Sequence, residues 1–95
     1  MNFEWDPVKN RSNRVKHGIG FPEAIRVFLD PYVREVFVSW SDDDEDRWAA
    51  VGLVSQELLS VCYTDRDDDI RRIISARRAS RNERRRYDQG HDPVQ

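Results

Sequence analysis

Arginines crowd the last part of this sequence, and arginine is the side chain best suited to bind a phosphate or another anion. Residues 71–95 carry eight arginines and three acidic residues, a formal charge of +5. Residues 1–70 carry eight basic and fifteen acidic residues, a charge of −7. The net charge of −2 conceals this division. We therefore predict a local anion-binding surface on a chain that is otherwise acidic.

Three of these arginines, Arg77, Arg78 and Arg81, fall where a predicted strand ends and a predicted helix begins. A helix N-terminus presents unpaired N–H donors, so cations at this point would converge with them on one anion. The alternative is that the same arginines are solvated, or pair with the acidic stretches "SDDDED" (41–46) and "DRDDD" (65–69) of this chain. Both interpretations stay open at this stage.

His17 and Tyr87 are the candidates for proton transfer. His17 stands beside Lys16 at the end of a predicted helix, where it serves either as a proton donor or phosphate ligand, or in a structural role. Tyr87 follows Glu83 by one helical turn, and either packs its ring on the sheet or meets a substrate. A phenol pKa of about 10 makes it a poor base unless nearby arginines lower that value.

The sequence gives no indication of a cofactor or a metal. Neither acidic stretch matches the EF-hand pattern, which needs a glycine at the sixth position and a later glutamate. A P-loop and the GxGxxG, HExxH and GxSxG motifs are also missing. The single Cys62 excludes an internal disulfide and a four-thiolate zinc site within one chain, so it is expected to pack as a small hydrophobic residue.

Three helices are indicated by their end signals. Asp6 and Pro7 predict an N-cap and first turn for a helix that runs to His17 and is closed by Gly18. A second, amphipathic helix is predicted by apolar residues at positions 21, 24, 25 and 28, and Asp30-Pro31 ends it. A capping box of Ser80 and Glu83 predicts a terminal helix that ends at Gly90.

Strands account for the remainder of the chain: a short first strand over 3–6, and four more over 33–40, 47–54, 57–64 and 70–78. Their short connections favour a meander, with the first strand free to join an edge. Ninety-five residues make one small domain, predicted over 1–90 with a frayed tail over 91–95. Apolar runs are too short to span a bilayer and no signal-peptide region is visible, which predicts a soluble cytoplasmic protein that does not enter a membrane.

Alternation along the last two strands predicts which residues share an open face. A turn centred between Asp67 and Asp68 would place Ser60 opposite Ser75 and Leu58 opposite Arg77. Arg66 would then lie about 26 Å along the strand from Leu58, too far to share one phosphate with Arg77.

The elements WD-P-K-N, KHGI, T-x-R, RIISAR and E-x-x-x-Y occur in this order between Phe3 and Tyr87. With them the chain resembles the BrnT family, the toxins of BrnT/BrnA toxin–antitoxin pairs. The resemblance implies an α+β fold similar to RelE-type ribonucleases, with a small antiparallel sheet, two N-terminal helices, a short C-terminal helix and RNA bound on the open side. It also implies inhibition by a BrnA-like antitoxin whose ribbon-helix-helix domain binds operator DNA, so that the complex represses its own operon.

The site residues implied by the resemblance are Lys16, His17, Arg66, Arg77 and Tyr87. RNA cleavage without a metal proceeds by attack of the 2′-hydroxyl on the adjacent phosphorus, which needs cations and proton-transfer groups. We assign Arg77 to the scissile phosphate, Arg81 and Lys16 to flanking phosphates with Arg78 as a further RNA contact, and Tyr87 or His17 to proton transfer. Carboxylates around Arg66 favour a structural role for it. The alternative function is a non-catalytic corepressor subunit of a DNA-binding antitoxin complex, using the same arginines.

Overall fold

The structure is a computed structural model that describes residues 1–40, 46–67 and 69–90. Most of the stretch "SDDDED", Asp68 and the expected tail over 91–95 lie outside the described residues. Within the described ranges no helix is long and apolar enough to cross a membrane. The elements in chain order are β1 (Asn2–Glu4), α1 (Pro7–His17), α2 (Phe21–Ala24), a 3-10 helix (Ile25–Leu29), β2 (Arg34–Trp40), β3 (Asp46–Val54), β4 (Glu57–Asp67), β5 (Ile70–Arg78) and α3 (Arg81–Gln89).

Helix α1 has the bounds and caps that its sequence predicts. The Asp6 Oδ1 accepts a hydrogen bond from the Val8 N–H at 2.9 Å. The cap thus satisfies one of the first N–H groups of the helix, which have no partner within the helix itself. At the other end Gly18 has a φ of 73° and its N–H donates to the Arg14 carbonyl. Only glycine adopts this left-handed conformation without strain, which is why the helix ends there.

The predicted second helix is present, but it divides into α2 and the tighter 3-10 helix. Its apolar positions Phe21, Ala24 and Val27 are completely buried. The 3-10 backbone lies directly on β3, because a Cβ added at Gly52 would stand 2.9 Å from the Val27 carbonyl oxygen. Gly52 therefore permits a contact between helix and strand that any side chain would block.

The five strands form one sheet in the order β1-β5-β4-β3-β2. The meander from β2 to β5 is antiparallel as predicted, whereas β1 pairs with β5 in parallel. The sheet is therefore mixed, which corrects the expectation of an antiparallel sheet. The chain crosses from β1 through the helices to the far edge at β2, so no hairpin turn fixes the direction of β1.

The register of β4 with β5 differs by two residues from the predicted one. Ser60 lies opposite Arg77, and Cys62 lies opposite Ser75. The hairpin pairs Asp67 with Ile70, so the turn is centred one residue later than expected. Two bulges, one in each strand, then cancel one another. Because the net shift is even, Ser60, Ser75 and Arg77 still share one face, as predicted.

The core lies between the sheet and the helices that follow β1. Its largest fully buried side chains are those of Phe21, Leu59, Ile73, Val27 and Val61. Burial of a side chain of this size contributes about 1.5–3 kcal/mol, which holds the helices on this face of the sheet. The opposite face is therefore left for α3 and for solvent.

Asn13 fastens α1 to the outer edge of β5, beyond the point where β1 ends. Its amide donates to the Ala76 carbonyl at 2.9 Å and accepts from the Ala76 N–H at 3.1 Å. It also donates to the Ile19 carbonyl at 2.8 Å. A buried side chain thus satisfies the backbone of β5 in the way that a neighbouring strand would.

Candidate functional site

Helix α3 covers one end of the sheet face that the other helices leave open. Its capping box is complete, since the Ser80 hydroxyl accepts from the Glu83 N–H at 3.2 Å and a Glu83 oxygen accepts from the Ser80 N–H at 2.8 Å. One turn later Tyr87 packs with Val51 and Leu58. The helix N-terminus consequently stands over the ends of β4 and β5, where the sequence placed the arginine cluster.

The Glu83 carboxylate is the centre of this junction. It accepts two hydrogen bonds from the Arg77 guanidinium, at 2.7 Å from Nη1 and 3.1 Å from Nη2. The Ser60 hydroxyl, in a side chain that is almost completely buried, donates to the same carboxylate at 2.9 Å. Burial opposes the charge of Glu83, but the hydrogen bonds from Arg77, Ser80 and Ser60 outweigh it and hold the pKa of Glu83 at about 2.

Arg77 is held by one side of its guanidinium only. Both N–H groups of Nη1 are used, by Glu83 and by the Arg78 carbonyl at 3.1 Å. Among the described residues nothing accepts from Nε, and the side chain is 48% exposed. Nε and the second N–H of Nη2 form a parallel pair of donors, the arrangement that binds a phosphate through two oxygens.

The other two arginines of the predicted cluster differ in their contacts. Arg78 is exposed and donates to Glu57 at 2.8 Å. Arg81 is exposed in the first turn of α3 and makes no side-chain hydrogen bond or ion pair within the described ranges. Pairing within the chain, the alternative weighed from the sequence, therefore applies to Arg77 and Arg78, although their partners are glutamates outside the two acidic stretches.

The structure places Arg66 at the other end of the open face. It is the extra residue of the bulge between Asp65 and Asp67, and it donates to Glu4 at 2.9 Å. Six residues of β4 separate it from Ser60, the partner of Arg77, which corresponds to about 20 Å. The structure does not bring Arg66 and Arg77 together, in agreement with the separation predicted from the sequence.

Tyr87 is held by a hydrogen bond to Asp30. Its ring is buried, and its hydroxyl donates at 2.5 Å to the carboxylate of Asp30, which also accepts from the Leu53 N–H at 2.8 Å. Burial and the Asp30 carboxylate raise the pKa of Tyr87 to about 12. This placement agrees with the sequence alternative in which the ring packs on the sheet; a part for Tyr87 in proton transfer stays a prediction.

Lys16 and His17 lie in the last turn of α1, along the outer edge of β5. Lys16 is exposed and His17 is half-buried. Their helix contacts β5 through Asn13 and Ala76, the residue before Arg77. Among the described residues neither side chain makes a hydrogen bond or ion pair with the arginine cluster. Their part in a site is therefore still a prediction.

Sequence reasoning missed two arginines on the open face, Arg47 and Arg72. Arg72 lies opposite Thr64, and Arg47 precedes Ala49, the partner of Cys62, by two residues. Alternation along β3 would have placed Arg47 on this face if it had been followed from strand to strand. Both arginines are half-buried, and Arg72 donates to Glu4 at 2.9 Å.

Small side chains lie between these arginines on the open face. Cys62 lies opposite Ser75. It was expected to pack as a small hydrophobic residue, but it is only half-buried. Burial raises the pKa of its thiol. Within the described residues no three His, Cys, Asp or Glu side chains are grouped so as to hold a metal ion. The middle of the open face thus carries small side chains bordered by arginines, and Arg77 lies at the end that α3 covers.

Comparisons with known proteins agree with the resemblance in the sequence. Residues 5–83 match the family model described as the ribonuclease toxin BrnT of type II toxin–antitoxin systems. The crystal structure of the Brucella abortus ribonuclease toxin BrnT superposes with a TM-score of 0.64 at 25% identity, and the match covers 85% of this chain and 99% of that one. No curated protein matches significantly. With a family model that spans most of its length and a fold that agrees, this chain belongs to the BrnT family of ribonuclease toxins.

Proposed function

We propose that this chain is an endoribonuclease toxin that cleaves RNA without a metal ion and thereby inhibits translation and growth. The observation that carries the proposal is Arg77, held at the junction of β5 and α3 with an unused pair of donors. Membership of a family of ribonuclease toxins supports RNA as the substrate. The open sheet face beside Arg77 supports the likeness to RelE-type ribonucleases, and the cytoplasm is where we expect the toxin to act.

In this proposal the attacking group is the 2′-hydroxyl of the RNA itself. Arg77 binds the scissile phosphate and neutralises the charge that develops on it, while Arg78, Arg81 and Lys16 bind the flanking phosphates. The attack breaks the bond between phosphorus and the 5′-oxygen, which takes up a proton and leaves as a 5′-hydroxyl, so the other product carries a 2′,3′-cyclic phosphate. A fixed arginine can stabilise the developing charge directly, without a metal ion. Of the two groups predicted for proton transfer, His17 is favoured, because the Tyr87 hydroxyl is bound to Asp30 and has a pKa of about 12.

The partner that we propose is a BrnA-like antitoxin with a ribbon-helix-helix domain, through which the complex would contact operator DNA. The exposed arginines of α3 support an acidic inhibitory segment as the contacting part. Affinity for the antitoxin should then fall between ~50 and ~500 mM salt, as the screening length shortens from about 14 to about 4 Å. A complex insensitive to salt would point to an apolar contact.

The test is to incubate the purified chain with RNA in excess EDTA and to analyse the product ends by mass spectrometry. We expect cleavage with 2′,3′-cyclic phosphate ends, and its loss in an Arg77→Ala variant that is folded. Activity that requires magnesium and releases 5′-phosphate ends would refute the mechanism. RNA or antitoxin binding without turnover would identify the chain as the non-catalytic corepressor.

A further inference from the structure

The contacts of Glu83 point to a role that the family match does not assign. We propose that Glu83 is a positioning residue: it clamps one side of the Arg77 guanidinium so that the other side faces an RNA phosphate. The inference rests on the proposed RNA substrate, and concerns how the site is prepared to receive it. Three parts of the fold meet in this carboxylate, namely β4 through Ser60, β5 through Arg77 and α3 through Ser80.

Glu83 is not available as a proton acceptor. An ionised carboxylate has about four lone-pair positions. Glu83 receives four hydrogen bonds, two from Arg77, one from Ser60 and one from the Ser80 N–H. With every position occupied, the carboxylate cannot take a proton from a 2′-hydroxyl without first releasing one of these donors. Its function in this arrangement is to hold Arg77.

The clamp determines which donors of Arg77 are presented. Glu83 takes the end of the guanidinium, Nη1 and Nη2, and the Arg78 carbonyl takes the remaining N–H of Nη1. Nε and the outer N–H of Nη2 stay available on the exposed side. A free arginine would have to be ordered when RNA binds, whereas this one is ordered beforehand by a partly buried carboxylate that the buried Ser60 holds. Ser60 takes part because it fixes the second oxygen of Glu83 from beneath.

The simpler explanation is that Glu83 only caps α3. The two explanations separate by substitution, because Gln is accepted at the same position of a capping box. Glu83→Gln keeps an oxygen for the Ser80 N–H but removes the charge that clamps Arg77. Ser80→Ala is the matched control, since it weakens the cap and leaves the contacts of Arg77 with Glu83 in place.

The first experiment observes Arg77 directly. In protein labelled with ¹⁵N at arginine, the Nε–H resonance of Arg77 is followed while a 2′-O-methylated RNA oligonucleotide, which cannot be cleaved, is added. We expect this resonance to shift in the unaltered protein and in Ser80→Ala, and to broaden or lose its response in Glu83→Gln. The inference is overturned if RNA does not shift the Arg77 Nε–H resonance of the unaltered protein, or if RNA shifts this resonance equally in Glu83→Gln.

The second experiment is a double-mutant cycle on cleavage with Glu83→Gln and Arg77→Ala. Glu83→Gln should lower kcat by about 10–100-fold, the loss typical of groups that orient a catalytic side chain, with a much smaller change in KM. Added to Arg77→Ala, it should have no further effect. Additive losses, or an equal loss in Ser80→Ala, would show that Glu83 acts through the helix alone. If the unaltered protein cleaves no RNA, the proposed ribonuclease fails, and the Arg77 resonance still decides the positioning role.

Discussion

The two ends of the open sheet face use the same residue types in different ways. At one end Glu83 grips Arg77 through both oxygens and is itself fixed by the buried Ser60 and a backbone N–H. At the other end a single oxygen of Glu4 receives Arg66 and Arg72, both at 2.9 Å. Glu4 joins β1 to β4 and β5, whereas Glu83 leaves one side of its arginine unused. The Glu83 pair thus leaves donors of its arginine exposed, whereas the Glu4 pairs join three strands.

The largest effect that separates the two ends should come from Arg77→Ala. We expect RNA cleavage to fall about 10²–10³-fold, the usual loss when a donor to a charged transition state is removed. The side chain is half exposed and does not belong to the core clusters of the described residues, so the fold should be retained. Growth after induction and the circular dichroism spectrum measure the two outcomes separately. A variant that is still toxic, or one that is unfolded, would remove Arg77 from the site.

Acid should destabilise the Glu83 end more than the Glu4 end. The folded pKa of Glu83, about 2, lies below its ordinary 4.5. Its ionised form therefore adds stability that is fully present above pH 4.5 and is lost as the pH falls towards 2, about 1–3 kcal/mol in total. Melting temperatures between pH 7 and pH 2.5 should show this loss in the unaltered protein and not in Glu83→Gln. Arg66 and Arg72 also lower the pKa of Glu4, and Glu4→Gln should change the profile less.

Tyr87→Phe tests whether the α3 end contains a second catalytic group. The change removes the hydroxyl donor to Asp30 and should lower the free energy of unfolding by about 1–2 kcal/mol. Cleavage per folded molecule should stay within roughly threefold. Denaturant unfolding and initial rates at equal folded concentration give both values. A loss of rate like that of Arg77→Ala, with stability unchanged, would restore Tyr87 to proton transfer.

The smallest effect should come from Arg66→Ala. Its pair with Glu4 is exposed to solvent, and Arg72 stays on the same carboxylate, so the free energy of unfolding should change little. Cleavage should change by less than roughly threefold. A decrease comparable with that of Arg77→Ala would mean that RNA extends along the whole open face and contacts both ends.

Local signals made the helices and the arginine face predictable. Asp6, Pro7 and Gly18 set the bounds of α1, and the Ser80–Glu83 capping box set the start of α3. The position of the β4–β5 turn was not predictable, because the run "DRDDD" contains no glycine or asparagine to mark its centre and bulges leave no local signal. The register error was two residues, an even number, so Arg77 still lies on the predicted face of the sheet.

Contacts between distant parts of the chain account for what the sequence did not reveal. The capping box placed Glu83 at the start of α3, but its reach to Ser60 depends on how the helix turns back over the sheet. Tyr87 had two open interpretations, and its bond to Asp30 spans 57 positions of sequence. No periodicity or spacing in the sequence predicts either contact.

Asn13 has a consequence for how copies of this protein can assemble. β1 along the first part of β5 and the Asn13 amide on Ala76 already occupy part of the outer edge of β5. Of the two edge strands in the described sheet, β1 has three residues and β2 has seven, so β2 is the longer edge for another chain to pair with. A polymer of sheets needs two open edges per molecule, one for each neighbour. Pairing of two copies through β2 would use the longer edge of both at once and would leave only the three-residue β1 edges for further growth, which favours a dimer over a fibre.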